Sequence, residues 1–300
     1  GCFNMCHYKG VPNDQSLSDS LHLARCAINA EMMQWDKHYI KKTQNPKTVH
    51  IVGGGIGGME AARVLVLRGH KPIIHEKSDR LGGAFIAAGA ESYKGKLRDL
   101  LKWYERQMKK LNVEVRFNDE VRDISLFGNE PVIIATGAVA RVLKNVPGHE
   151  KMIEACDFLL GKQVGERVAV IGGGLTGSEI AYELALMGKT PIIVEMKDDL
   201  VSQTGVCLAN SSYLREWFAL NKVPTYLETS LKEVTDGKII CADKNGKKIE
   251  IECDSVISCA GYVPAPLETK GGKAMLIGDC KSVGNLRSVV WSAYEAAMKI

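Results

Sequence analysis

The chain has 300 residues, 45% of them hydrophobic and 30 of them glycine, and this length suits two compact α/β domains with a core each. The 39 basic and 35 acidic residues give a net charge of +4, spread over the surface, which argues against a nucleic-acid-binding stripe. The longest apolar run, residues 132–140, is too short to span a membrane. Nine cysteines, an odd number, favour reduced thiols, and we therefore predict a cytoplasmic protein.

Residues 1–47 differ in composition from the rest and fit no element of a dinucleotide-binding domain. Cys2 and Cys6 lie among polar residues, and Cys26 opens the stretch Cys-Ala-Ile-Asn. Thiolates are soft ligands, so this segment could bind iron and sulfide. It could equally be an extended arm with incidental cysteines, and the spacing alone leaves both interpretations open.

Residues 49–76 have the pattern of a strand, a glycine turn, a helix and a second strand. Gly53, Gly55 and Gly58 form a GxGxxG motif. In such a motif the first glycine permits the tight turn, the second lets a pyrophosphate approach the backbone, and the third lets the helix pack on the strand. The helix N-terminus would hold the phosphate charge. Glu76, at the end of the second strand, is predicted to bind the ribose hydroxyls of an adenosine.

A glycine pair, Gly82 and Gly83, follows at a place where backbone must pass close to a bulky group. Residues 96–111 then show leucines at helical spacing, a stripe that predicts core packing. Residues 113–117 are predicted to form a strand. Residues 132–138 form a buried strand that ends in Ala-Thr-Gly, which suits a chain leaving the sheet beneath a bound cofactor.

The same unit recurs over residues 168–195, with Gly172, Gly174, Gly177 and the terminal acid Glu195. The first glycine and the acid both lie 119 residues after their counterparts. Two complete motifs in register favour two dinucleotide sites over glycine turns of a protein without nucleotide.

The remaining elements complete the second unit and return to the first. A helix is predicted over residues 211–220. Residues 237–251 read as a β-hairpin with a type I′ turn at Asn245-Gly246, since both central residues of that turn have positive φ. Residues 256–261 form the counterpart of the strand that ends at Gly137. Gly278-Asp279 follows a short apolar strand and precedes a helix over 287–298, so its carboxylate could bind a polyhydroxylated chain or be an ordinary helix-start aspartate.

In this order, GxGxxG, Ala-Thr-Gly, GxGxxG and Gly-Asp make residues 48–300 resemble the flavoproteins with two dinucleotide-binding domains. The resemblance implies an α/β fold of two Rossmann-like domains, in which residues 48–145 and 267–300 bind FAD and residues 146–266 bind NAD(P)H. It implies FAD contacts at Gly53, Gly55, Gly58, Glu76, Lys77, Gly82, Gly83, Ala135, Thr136, Gly137, Gly278 and Asp279. It implies NAD contacts at Gly172, Gly174, Gly177 and Glu195, with Glu179 as a possible contact of the nicotinamide.

Disulfide reductases of this kind carry CxxC or CxxxxC, and no two cysteines here have either spacing. Instead, the cysteine segment is similar to the iron–sulfur segment of enoate reductase and 2,4-dienoyl-CoA reductase, relatives of old yellow enzyme. That resemblance implies that Cys2, Cys6 and Cys26 bind a 4Fe-4S cluster, with a fourth ligand before Gly1. The gap from Cys6 to Cys26 is longer than usual, and Ala30 stands where proline is typical.

The resemblance identifies the chain as the C-terminal FAD/NAD(P)-binding portion of such a protein, joined in the parent protein to an N-terminal FMN-binding barrel. The implied function is electron input: NADH reduces FAD, single electrons pass through the cluster, and the barrel reduces an enoate-type C=C bond. Glu195 favours NADH over NADPH, because a carboxylate repels a 2′-phosphate. Two alternatives are a non-catalytic ADP-binding module, as in proteins similar to trimethylamine dehydrogenase, and a stand-alone NADH:acceptor reductase. The parent protein could be oligomeric, and no nucleic-acid or membrane partner is expected.

Overall fold

The computed structural model describes residues 26–32, 34, 37–203, 206–269 and 273–300. Of the three predicted cluster ligands, Cys2 and Cys6 lie outside these residues and Cys26 lies within them. Among the described residues, every helix is too short or too polar to cross a lipid bilayer.

The first unit is a parallel sheet of five strands in the order β15-β4-β1-β2-β3. The strands are β1 Thr48–Val52, β2 Lys71–Glu76, β3 Glu114–Phe117, β4 Val132–Ile134 and β15 Ala274–Leu276. The helices are α1 Ile56–Leu67, α2 Phe85–Ala88, α3 Gly95–Lys110 and α7 Leu286–Met298, with 3₁₀ turns at Ile124–Phe127 and Gly278–Cys280. Strand β1 is buried almost throughout because parallel strands are covered on both faces, which explains its continuous apolar run.

Helix α1 lies in the middle of the core of the first unit, between the sheet and helices α3 and α7. The predicted apolar stripe of α3 is confirmed as core packing, since Leu100, Tyr104 and Met108 are buried. Helix α7 has a capping box in which Asn285 and Ser288 bind each other's backbone amides.

The second unit repeats this arrangement with the strand order β6-β13-β7-β8-β9. Its strands are β6 Ile153–Glu154, β7 Arg167–Ile171, β8 Thr190–Val194, β9 Thr225–Tyr226 and β13 Ser255–Ser258. Its helices are α4 Ala155–Leu159, α5 Leu175–Leu186 and α6 Leu208–Leu220, with a 3₁₀ turn at His149–Lys151. The predicted α/β class with parallel sheets is confirmed.

A three-stranded antiparallel sheet covers one face of the second unit. Its strands are β10 Thr229–Thr235, β11 Lys238–Asp243 and β12 Lys248–Glu252. The predicted hairpin is therefore present, but the predicted type I′ turn is wrong. Gly246 has a φ of +81°, whereas Asn245 does not have a positive φ, and the Gly246 amide donates to Asp243 O at 3.0 Å. The turn thus has Lys244 and Asn245 at its centre, and only the glycine after them needs the left-handed conformation.

The chain passes between the two units through a short antiparallel pair, β5 Ala138–Ala140 and β14 Tyr262–Pro264. Each of these strands begins just after a glycine with positive φ, Gly137 at +77° and Gly261 at +90°. A Cβ at either glycine would meet nothing within 4 Å, so backbone conformation alone requires glycine there.

Candidate functional site

The first glycine loop joins β1 to α1, and two of its glycines are required by the fold itself. Gly53 has a φ of +110°, and a Cβ on it would lie 2.4 Å from Ala135 O. A Cβ on Gly58 would lie 2.0 Å from Gly53 O, so any other residue would push α1 off β1. The absence of a side chain at Gly53 and Gly58 therefore allows the tight turn.

Gly55 is different, because the surrounding protein leaves room for a side chain. Its φ of −70° and ψ of −175° suit any residue, and the nearest atom to an added Cβ is Gly82 O at 3.9 Å. Gly55 is also the N-cap of α1 and offers no side chain to the first-turn amides. Open space beside uncapped amides at a helix N-terminus fits a pyrophosphate, which those amides would bind.

Glu76 lies at the end of β2, directly beside this loop. One carboxylate oxygen accepts a hydrogen bond from Gly54 N at 2.7 Å, and the other accepts from Ser78 N and Ser78 Oγ. The side chain is buried and held at the tip of the loop. The neighbouring Lys77, also predicted to contact FAD, is exposed to solvent.

The glycine pair packs against the first loop. Gly82 N donates to Gly54 O at 3.0 Å, and Gly82 forms a parallel bridge with Gly55. Gly83, with a φ of +53°, lies close to the Cα of Gly55. The pair thus lies along the flank of the space beside Gly55.

The remaining predicted FAD residues follow β4 and β15, at the same sheet edge as the first loop. Ala135 N donates to Val52 O at 2.8 Å, and Thr136 Oγ1 donates to Ala265 O at 2.7 Å. Parallel strands bring their carboxyl ends to one edge, where ligands of such sheets bind.

Gly278 and Asp279 form a 3₁₀ turn directly after β15. Gly278 N donates to Ser292 Oγ at 3.0 Å, and Asp279 Oδ1 accepts from Gly284 N at 3.0 Å. Burial raises the pKa of Asp279, an effect that the bond from Gly284 opposes. One oxygen of the carboxylate is thereby fixed by the protein.

The second glycine loop, between β7 and α5, repeats this geometry. A Cβ on Gly172 would lie 2.5 Å from Cys259 O, and one on Gly177 would lie 1.8 Å from Gly172 O. Gly174 again has ordinary backbone angles, and its nearest neighbour is the end of the Gln203 side chain at 3.4 Å. Glu195 accepts hydrogen bonds from Gly173 N at 2.6 Å and Lys197 N at 2.9 Å.

Val201 packs beside the second loop and was missed by sequence analysis. It lies 119 residues after Gly82, donates its amide to Gly173 O at 2.8 Å, and has a φ of +48°. A β-branched residue rarely adopts that conformation. The spacing could have revealed it, because Leu81 and Leu200 pack over the two loops at the same separation.

Glu179 lies in α5, after the second loop, and is bound by the first unit. Lys94 Nζ contacts Glu179 Oε2 at 2.7 Å and Glu91 Oε1 at 3.1 Å. Nearby, Ser92 donates its amide and hydroxyl to the carboxylate of Glu183. Sequence analysis missed Lys94, since its contact with Glu179 spans 85 residues and leaves no local pattern. It also missed Glu91, which lies only three residues before Lys94.

Glu91 is a buried acid at this junction between the units. Its Oε2 has no hydrogen-bond partner among the described residues, and burial raises its pKa. Lys94 opposes that shift, so one ammonium group is placed between a buried carboxylate and the partly buried Glu179.

The Cys26 segment packs against α7. Trp291 Nε1 donates to Cys26 O at 2.9 Å, and Ala27 and Ala30 are buried. The described cysteines are all free thiols. Among the described residues, no three His, Cys, Asp or Glu side chains are grouped as metal ligands. The predicted cluster therefore stays a prediction.

Comparison with known proteins gives the family. The family model described as pyridine nucleotide-disulphide oxidoreductase matches residues 127–279. The chain belongs to this family. Its membership supports FAD and a nicotinamide nucleotide as the ligands of the two loops.

Similar proteins include cinnamate reductase of Clostridium sporogenes, with 37% identity over 284 residues, covering 92% of this chain and 42% of that protein. NADH oxidase of Thermoanaerobacter brockii is 32% identical over 276 residues, covering 87% and 42%. The solved structure of 2-naphthoyl-CoA reductase with 2-naphthoyl-CoA has a TM-score of 0.85 and 25% identity, covering 97% of this chain and 45% of that one. The resemblance to the nucleotide-binding portion of enoate reductase-type flavoproteins is confirmed. The chain spans less than half the length of each of these three proteins.

Proposed function

We propose that this chain is the NADH-oxidising, electron-input module of a larger flavin reductase. The observation that carries the proposal is the repeated loop in which the second glycine, Gly55 or Gly174, has ordinary backbone angles and room for a side chain. Bound FAD would supply the conversion from hydride to single electrons, since hydride carries two electrons and an iron–sulfur cluster accepts one.

In the first unit, the residues around the loop would hold FAD. The amides at the start of α1 would bind the pyrophosphate, and Glu76 would lie by the adenosine ribose. Asp279 has one oxygen fixed by Gly284, and its other oxygen would accept a hydroxyl of the ribityl chain. The work of the chain is thus to bind and orient, and no side chain is assigned as acid or base.

In the second unit, Gly172, Gly174 and Gly177 would hold the pyrophosphate of NADH, and Glu195 would lie by the adenosine ribose. A carboxylate about 4 Å from a 2′-phosphate costs roughly 4 kcal/mol per unit charge at an effective dielectric near 20. Even half of that free energy would give more than a tenfold preference for NADH over NADPH. The relative named NADH oxidase supports this choice.

The parent protein would carry further redox groups and the substrate site. Cys26, together with Cys2 and Cys6, would bind a 4Fe-4S cluster, and an FMN-binding barrel would receive the electrons. The substrate would be an enoate-type C=C bond. The relative named cinnamate reductase supports this substrate class, because cinnamate is a 2-enoate. Reading the coding sequence before Gly1 tests the barrel, which should occupy roughly 250 residues.

The central experiment is to purify the full chain with FAD and measure ferricyanide reduction by NADH and NADPH. We expect flavin absorbance and faster turnover with NADH. Faster turnover with NADPH would contradict the role of Glu195. A colourless protein that binds ADP and oxidises neither nucleotide would instead support the non-catalytic alternative.

A further inference from the structure

Four polar side chains form a continuous hydrogen-bonded chain behind the first glycine loop. His50 Nε2 lies 2.7 Å from Glu130 Oε2, His50 Nδ1 lies 2.9 Å from His75 Nε2, and His75 Nδ1 lies 2.7 Å from Asp119 Oδ2. Both imidazoles are buried, and they adjoin a cavity of about 410 Å³. None of these four residues has a role in the proposed function.

The four hydrogen-bonded side chains connect both ends of one loop to the sheet. Asp119 begins the segment that joins β3 to β4, and Glu130 lies near its end, while the two histidines lie on β1 and β2. The backbone follows the same path, because Asp119 N donates to Glu76 O and His50 N donates to Pro131 O. His75 O accepts from Gly53 N, so the chain of side chains adjoins the first glycine loop.

The second unit covers the same sheet face without polar groups. The positions 119 residues after His50 and His75 are Ala169 and Val194, which pack beneath the three-stranded antiparallel sheet. The first unit has no such sheet among its described residues, and its shorter segment brings only a 3₁₀ turn over this face. The histidine pair lies beside a small apolar cluster in which Val121 and Ile124 of this segment pack with Val52 and Ile134 of the sheet.

The net charge of the four hydrogen-bonded side chains follows from counting the protons that their three hydrogen bonds require. Three hydrogen bonds need three protons, carboxylates only accept, and two neutral imidazoles supply two. We propose that the His50–His75 pair holds one additional proton, and that this proton positions the first glycine loop for its nucleotide. A doubly protonated His50 then donates to Glu130 and to His75, and a neutral His75 donates to Asp119.

The groups that surround the pair fit this assignment. Burial lowers the pKa of His75, an effect that Asp119 opposes and Arg116 strengthens. The other charged groups that face the cavity are Arg116 from β3 and Glu120 from the loop. Arg116 is paired with Glu114, and Glu120 is paired with Arg122, whereas Glu130 and Asp119 contact the imidazoles directly. The Phe127 ring stacks on His50 at 3.9 Å and shields it from water.

The sign of the pH dependence follows. On this proposal the folded protein holds a proton that the unfolded chain releases, so the stabilisation is present at low pH and is lost as the pH rises and the proton leaves. Loss of the proton leaves two lone pairs facing each other at one of the three contacts. The segment that joins β3 to β4 should then become more mobile, and it should position Gly53 and Glu76 less rigidly.

Asp119→Asn tests the proton count directly. The asparagine amide can donate to His75 Nδ1, after which His75 donates to His50 and His50 donates to Glu130, all with neutral imidazoles. Glu130→Gln does the same from the other end and serves if the first variant does not fold. His149→Gln changes a half-buried histidine of the second unit that lies outside the four-residue network, and it is the matched control.

Imidazole ¹⁵N NMR of the full chain at pH 7 should show both nitrogens of His50 protonated in the wild type and neutral imidazoles in Asp119→Asn. Between pH 7 and 9.5 the unfolding constant of the wild type should rise about tenfold, the value of one hydrogen bond. Asp119→Asn should lose most of this dependence, and His149→Gln should keep it. Two neutral histidines in the wild type, or an unchanged pH dependence in Asp119→Asn, would overturn the proposal.

The link to the nucleotide rests on the proposed function and is tested separately with FAD. Its affinity should fall about threefold over the same pH range in the wild type and stay nearly constant in Asp119→Asn, because one hydrogen bond near the loop is lost. A protein that shows the NMR signature but binds no FAD at any pH would contradict the proposed function and the positioning role, while the proton assignment would stand.

Discussion

The two glycine loops, 119 residues apart, have the same pattern of backbone close approaches, whereas different elements cover the sheet faces behind them. In both motifs, a Cβ added to the first or third glycine would lie within 2.5 Å of a backbone oxygen, whereas one added to the second, Gly55 or Gly174, would meet no atom closer than 3.4 Å. Behind the loops, an antiparallel sheet with an apolar interior covers the second unit, whereas a shorter segment covers the first with a small apolar cluster and the hydrogen-bonded histidine pair. Local sterics dictate the nucleotide loop, while the cover over the sheet can differ.

The largest expected effect comes from the third glycines. Gly58→Ala and Gly177→Ala each place a Cβ within 2.0 Å of a backbone carbonyl oxygen, which cannot move without shifting the loop. We expect each to lower the free energy of unfolding by about 3 kcal/mol or more, measured by urea denaturation. A loss below about 1 kcal/mol in either would break the equivalence of the two loops.

The contact between the two units should be the next most sensitive. Lys94→Met leaves the buried carboxylate of Glu91 without its cation, and we expect a loss of about 2–4 kcal/mol at pH 7. Because the folded pKa of Glu91 is raised, its protonation restores stability, so the loss should shrink as pH falls. Glu91→Gln in the same background should remove this pH dependence. A loss that does not vary with pH would rule out Glu91 as its source.

The second glycines separate folding from ligand binding. Gly55→Ala and Gly174→Ala meet no atom closer than 3.4 Å, so each should cost less than about 1 kcal/mol of stability. Each should weaken its own ligand about tenfold or more, since a methyl group would displace the pyrophosphate from the helix amides. Calorimetry with FAD for the first loop and NADH for the second is the measurement. Unchanged affinity in both variants would contradict the proposed sites.

The smallest effect is expected where the two loops differ. Val201→Gly places beside the second loop the residue that Gly82 provides beside the first, and relieves a left-handed valine worth about 1–2 kcal/mol of strain. It also removes a buried side chain worth about 1.5–2 kcal/mol. We expect a net change within about 1 kcal/mol by thermal unfolding. A larger loss would show that the valine packs without strain.

Much of the site could be predicted because the glycine motifs act over a few residues. Gly58 and Gly177 are fixed by the backbone oxygen five residues earlier, so their spacing is visible in the sequence, whereas Gly53 and Gly172 are restricted by Ala135 and Cys259 on distant strands. The type I′ turn was wrong because a glycine after the turn, rather than at its centre, can satisfy the same Asn-Gly pair. The domain boundaries at 145/146 and 266/267, and the cofactor contacts themselves, stay predictions.

The sequence by itself determined the α/β class, the duplicated unit and the family resemblance, since strand periodicity, glycine turns and terminal acids are short-range properties. Only the tertiary structure decided that Lys94 bridges Glu91 and Glu179, and that His50 and His75 meet between Glu130 and Asp119. Glu91 and Lys94 are three residues apart, but the other partners are far apart along the chain and become neighbours only when parallel strands and packed helices align. A charge or a proton shared across such a distance leaves no pattern in the sequence.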